Sequence, residues 1–77
     1  MKELIEFIAR SLVENPESVI VNEAPGEDDT TVVTLVAAPA DMGRIIGKQG
    51  RTAKAMRTLL NAKATRENRR AILRIEE

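Results

Sequence analysis

The sequence predicts an α+β fold in the order α-β-β-α-α-β, and three observations carry it. The chain opens on an amphipathic helical period. Two β-branched runs then flank a Pro-Gly-acid turn. After Pro39 the helical period returns, is broken once by glycines, and gives way to a short alternating segment.

Residues 2–14 read as the first helix. Leu4, Ile5, Ile8 and Leu12 share a stripe with Ala9 beside it, while Glu3, Glu6, Arg10 and Glu14 lie opposite. Phe7 projects to the stripe's edge and is expected at the margin of the core, although it could also face a protein partner. Pro16 disfavours helical geometry at Asn15 and ends the helix. Residues 19–23 form a short strand, Pro25-Gly26-Glu27-Asp28-Asp29 a turn, and residues 30–38 a second strand that closes a hairpin.

Residues 40–46 form a short helix with Asp41 as an N-terminal acid. Residues 51–67 form a long one, with Ala53, Met56, Leu60 and Ala64 on one stripe and Leu59 flanking it. Asn68 suits the left-handed conformation that stops a helix. In residues 69–76, Ala71, Leu73 and Ile75 face one way as a third strand.

Composition narrows the function. The chain has 77 residues, expected to form one domain over 1–77, with a core of barely sufficient size. There is no Cys, His, Trp or Tyr and one Phe. Thiolate chemistry, an imidazole base, a His-bearing zinc site and an aromatic stacking platform are all excluded. Neither a cofactor nor a metal is expected. Glu27, Asp28 and Asp29 cluster in a turn, where acids are usually just solvated, and no nucleophile–base pair is visible, so an enzyme is not expected. Acids near the start argue against a signal peptide, and the most apolar stretch, residues 32–40, is too short to span a bilayer. The expected location is the cytoplasm.

A formal net charge of zero hides a segregation. Residues 1–41 carry two bases and nine acids, and residues 42–77 carry ten bases and three acids. The basic half suits a polyanion, unless the two halves pair across the fold.

The informative segment is Gly43-Arg44-Ile45-Ile46-Gly47-Lys48-Gln49-Gly50-Arg51. Only three residues separate Gly43 from Gly47-Lys48, and Gln49 follows, so a nucleotide P-loop fails on spacing and on the magnesium ligand. A dinucleotide fingerprint fails because the loop joins two helices. Gly47-x-x-Gly50 between helices has a logic of its own. Gly47 can end the first helix at positive φ, and Gly50 can turn tightly into the second. A phosphate backbone can approach where no Cβ stands, near the positive end of the second helix. Lys48, Gln49 and Arg51 supply charge and donors, and one of Ile45 and Ile46 can line an apolar groove while the other enters the core. Gly43 serves either close packing against a strand or ligand access. Arg44, Lys54 and Arg57 could extend a phosphate track, whereas Arg66, Arg69, Arg70 and Arg74 read as surface.

Ile45-Ile46-Gly47-Lys48-Gln49-Gly50-Arg51 resembles the signature of the KH domain, and the element order is that of its bacterial type II version. Essentially the whole chain is similar to the small bacterial single-KH RNA-binding proteins of the KhpA family. The resemblance implies a three-stranded mixed sheet with helices packed on one face. It also implies a loop that clamps about four nucleotides of single-stranded RNA. The candidate RNA-binding residues are Ile45, Ile46, Gly47, Lys48, Gln49, Gly50 and Arg51, which carry the resemblance, together with Gly43, Arg44 and Lys54 from the reading of the residues above.

The family is associated with homodimers, with a larger KH-containing RNA-binding partner, and with cell elongation and envelope growth; a role as RNA chaperone or post-transcriptional regulator follows. With no aromatic to stack on except Phe7, on the wrong helix, the groove must be aliphatic and the binding weak and mildly selective, which favours a second domain for avidity. The competing reading is a protein-interaction module that keeps the fold with little RNA binding.

Overall fold

The computed structural model describes residues 1–76. Its helices are α1 (Lys2–Leu12), α2 (Met42–Ile46) and α3 (Arg51–Arg66), and its strands are β1 (Ile20–Pro25), β2 (Thr30–Val36) and β3 (Arg70–Glu76). Short 3-10 turns at Pro16–Ser18, Pro39–Asp41 and Lys48–Gly50 join them. The order is the one expected.

The sheet has the order β1-β2-β3. β1 pairs antiparallel with β2, with Val21 opposite Leu35, and β2 pairs parallel with β3, with Val33 opposite Leu73. The hairpin turns at Asp28 and Asp29, both at positive φ (52° and 61°), and the Thr30 N–H donates to Glu27 O at 2.9 Å. That handedness suits a two-residue hairpin, because it matches the right-handed twist of the strands. Pro25 is tolerated because β1 is an edge strand. The parallel β2–β3 pair needs a long crossover, which α2, the loop and α3 provide.

Period-two alternation sends Thr31, Val33 and Leu35 of β2 and Leu73 of β3 inward. The helices cover that face with Ile5 and Ala9 of α1, Ile45 of α2, and Ala53, Met56, Leu60 and Ala64 of α3, all buried. Each large aliphatic among them contributes roughly 1.5–3 kcal/mol on burial. The opposite face of the sheet leaves Ile20 and Ile72 about half exposed.

Three expectations are corrected. α1 stops at Leu12, two residues early, with Val13 already extended (φ −96°, ψ 162°). Pro16 is one cause. The other is that the Glu14 and Asn15 N–H groups donate to the Asp41 carboxylate rather than turning back into the helix. Phe7 is not at the margin of the core but 73% exposed. The strands shift, with β1 at Ile20–Pro25 rather than 19–23 and β2 ending at Val36 rather than at residue 38. Asp41 does stand at the start of α2, with no cap hydrogen bond from its side chain.

Candidate functional site

α2 is a single turn whose position is set by its neighbours. Ile45 is fully buried in the core, and Ile46, next in sequence, is 38% exposed beside the loop. The pair divides as the spacing suggested. Gly47 ends α2 at φ 77°, with its N–H donating to Gly43 O at 2.9 Å. Gly50 opens α3 in the left-handed conformation (φ 74°, ψ 11°), with its N–H donating to Gly47 O at 3.1 Å. No side chain caps α3, so its first-turn amides and positive dipole end are not covered by a capping group. Gln49 at the tip also has positive φ (57°), an uncommon conformation for a residue with a Cβ. Such strain persists where the surroundings over-determine it and gathers at binding loops.

The three glycines have different reasons to be glycine. A Cβ at Gly47 would overlap the Thr52 side chain and lie 2.8 Å from the Thr52 nitrogen, so this position is fixed by packing as well as by φ. A Cβ at Gly50 would meet nothing within 4 Å, so only its φ excludes a side chain. A Cβ at Gly43 would also meet nothing within 4 Å, and Gly43 is exposed within α2. Close packing against a strand therefore does not explain Gly43. Gly43 and Gly50 are side-chain-free positions that open onto free space.

The loop end of α3 is a run of bases without acids; Arg66, Arg70 and Arg74 elsewhere also make no ion pair among the described residues. No acidic residue occurs between Met42 and Arg66. Among the described residues, Lys48, Arg51, Lys54 and Arg57 make no ion pair. Arg51 Nη2 donates to Gln49 Oε1 at 3.1 Å, which leaves its charge uncompensated and aligned with the loop tip. Arg44 differs. It pairs with Glu14, and its Nε lies 3.8 Å from Asp41 Oδ1. At the far end of α3, Lys63 pairs with Glu67, and Arg69 with Glu67 and Glu23. The acidic and basic halves thus pair across the fold at Glu14–Arg44 and Glu23–Arg69, but not at the loop.

Asp41, only 1% exposed, underlies α2. Burial alone would raise its carboxyl pKa. The N–H of Glu14, the side-chain amide and N–H of Asn15 and the charge of Arg44 outweigh burial and hold the pKa below the ordinary value of 3.8.

Two recesses adjoin the basic track, one of mixed lining and one apolar. One, of about 110 Å³, lies between α3 and β3 and is lined by Arg57, Leu60, Asn61, Ala71, Ile72 and Leu73. Asn61 and Ile72 were not legible as site residues, since only the pairing of β3 alongside β2 brings them near α3. The other lies on the outer face of α3, among Arg51, Lys54, Ala55, Thr58 and a half-exposed Leu59. Among the described residues, no group of acids, Cys or His is placed to hold a metal, and no helix is long and apolar enough to cross a membrane.

Comparison with known proteins places this architecture. The family model described as the KH domain of KhpA/KhpB matches residues 2–75. The chain is 52% identical over 75 residues to the RNA-binding protein KhpA of Clostridium perfringens, covering 97% of this chain and 99% of that one. It is 46% identical over 77 residues to the RNA-binding protein KhpA of Chlamydia trachomatis, covering 100% and 97%. Among solved structures, the crystal structure of Era in complex with MgGDPNP and nucleotides 1506–1542 of 16S ribosomal RNA superposes with a TM-score of 0.64. That match has 21% identity and covers 96% of this chain and 28% of Era, and it concerns the fold alone. The matching family is named for RNA binding and not for a catalysed reaction. With its family model spanning all but the chain ends and relatives near half identity along the whole length, the chain belongs to the KhpA/KhpB KH-domain family.

Proposed function

We propose that the protein is a non-enzymatic, single-stranded-RNA-binding KH domain, one domain over residues 1–77, whose 47–50 loop grips the sugar-phosphate backbone of about four nucleotides. The observation that carries this reading is the bend itself. Two positive-φ glycines stand at the uncapped end of α3, beside Lys48, Arg51 and Lys54, which make no ion pair among the described residues. Gly43 and Gly50 give the backbone room to approach. Ile46 offers an aliphatic surface to a base. Lys48, Gln49, Arg51 and Lys54 supply charge and donors, and Arg44 joins after its pair with Glu14 opens.

A relative named RNA-binding protein KhpA at 52% identity supports the same reading. A grip this short needs a second domain for useful avidity. We therefore take the working form to be a homodimer, or a pair with a larger KH-containing RNA-binding protein. Its setting is the cytoplasm, and its role is that of an RNA chaperone or post-transcriptional regulator tied to cell shape. The Leu59 surface of α3 supports self-association, which sizing of Leu59→Glu beside the parent chain at two concentrations tests.

The test is fluorescence anisotropy with a short unpaired oligoribonucleotide. Lys48→Asp with Gln49→Asp abolishes binding while far-UV circular dichroism stays unchanged. In the parent chain, log affinity falls with log salt at a slope of about −3, from ~0.7 per phosphate contacted. Unchanged affinity in the double variant, or a flat salt dependence, contradicts the reading. One observation favours a protein-interaction module instead, namely Phe7, the chain's single aromatic, 73% exposed on α1. That reading predicts partner capture that survives the loop substitutions and fails with Phe7→Ala.

A further inference from the structure

Among the described residues, Asp41 is the one charged side chain buried in the protein. Its carboxylate accepts three hydrogen bonds of 3.1 Å, from the Glu14 N–H on Oδ1 and from the Asn15 N–H and Nδ2 on Oδ2. All three donors belong to the segment leaving α1, more than two dozen residues earlier. Arg44, one turn along α2, closes the cluster by pairing with Glu14 and approaching Asp41 to 3.8 Å.

The cluster sits at the base of the loop. α2 has five residues, too few to hold a helical turn in place by its own hydrogen bonds. Its apolar side is held by Ile45 in the core and Met42 packed partly against it, and its polar side by Asp41 at its start. Without the Asp41 anchor, α2 can rock on that apolar contact. The loop follows α2 directly, joined through the Gly47 N–H bond to Gly43 O. Any tilt of α2 is passed to Gly47, which has no spare room against Thr52.

We propose that Asp41 is the positioning residue of the loop: its carboxylate ties α2 to the chain leaving α1, so that residues 47–50 hold their bound geometry before any ligand arrives. The ligand side of this inference rests on the RNA reading above; the positioning side does not. A loop held competent in advance binds at its intrinsic affinity, and one competent a fifth of the time binds about fivefold more weakly.

The experiment uses the isotope-labelled full chain as parent, Asp41→Asn and Asn15→Ala. Asp41→Asn keeps the volume but faces the clustered N–H donors with a neutral amide. Asn15→Ala removes one donor and leaves both backbone donors. Without RNA, the amide signals of Gly47, Lys48, Gln49 and Gly50 move and exchange about tenfold faster in Asp41→Asn, while those of Val33 and Leu60 stay in place. Asn15→Ala gives a smaller change in the same direction, and carries the test if Asp41→Asn does not fold. With a short oligouridylate as probe, Asp41→Asn binds about fivefold more weakly.

Unmoved loop signals overturn the proposal. Weaker binding with unmoved loop signals overturns it as well, since Asp41 would then act on the RNA through charge alone. Moved loop signals in a chain whose parent does not bind the oligouridylate support the positioning role and remove the RNA reading.

Discussion

The two ends of α3 carry the same residue types and use them differently. At the loop end, Lys48, Arg51, Lys54 and Arg57 make no ion pair among the described residues. At the far end, Lys63 and Arg69 are engaged with Glu67 and Glu23, and Arg69 Nη2 also donates to the buried Thr31 hydroxyl at 2.6 Å. A base that is already paired must break that pair before it meets a phosphate. An unpaired one gives up only counterions, whose release drives polyanion binding. The loop end is therefore poised for a ligand, whereas the far end mixes the engaged Lys63 and Arg69 with Arg66 and Arg70, which make no ion pair among the described residues; a count of charges along the chain does not distinguish the two.

The largest effect expected of this contrast is on RNA affinity. Lys48→Asp with Gln49→Asp weakens binding of an unpaired oligoribonucleotide by about thirtyfold or more, about 2 kcal/mol. Lys63→Asp, a single charge reversal at the paired end, changes it less than about twofold. Equal losses at the two ends break the contrast.

Next in size is a stability effect without a binding effect. Arg69→Ala leaves the buried Thr31 hydroxyl without its partner, at about 1 kcal/mol. In a chain of this size that lowers the melting temperature by about 4–8 °C, with RNA affinity unchanged. Lys54→Ala and Arg57→Ala show the reverse. Each weakens binding about threefold and flattens the salt slope by ~0.7, with no change in melting. A variant at the loop end that costs stability but not affinity removes the division of labour.

The smallest effect lies in acid. Asp41 titrates below its ordinary 3.8, facing Glu14 and Arg44. The stability it contributes is complete above the ordinary carboxyl value and is lost as pH falls through the lowered folded value. Thermal melts of the parent chain therefore decline below about pH 4, a value set by the ordinary carboxyl range. Asp41→Asn, less stable at neutral pH, shows a shallower decline. Parallel declines in the two chains contradict that assignment.

The parts of this molecule legible in sequence are those set by local period. Ala53, Met56, Leu60 and Ala64 are spaced for one helical face and are all buried. Ala71, Leu73 and Ile75 alternate toward the core, and Asn68 takes the left-handed conformation that ends α3. Gly47 and Gly50 have the positive φ their placement implied. What the sequence hid depends on contacts between distant segments. Asp41 read only as an acid at the start of α2, because nothing local says that its partners are Glu14 and Asn15. The same contact shortens α1. Arg44 looked as free as Lys54 until the fold brought Glu14 beside it. Phe7 shares its helix with a buried stripe, yet sits too far around to enter the core. The recess holding Asn61 and Ile72 exists only because β3 pairs parallel to β2 and runs beneath α3.

The most direct measurement is an amide-resolved titration of the labelled chain with a short unpaired oligoribonucleotide. The account requires the signals of residues 47–51 to move first and furthest, with smaller movements at Lys54 and Arg57 and none at Lys63 or Arg69. Still signals at the bend, or movements centred on the far end of α3, would contradict it.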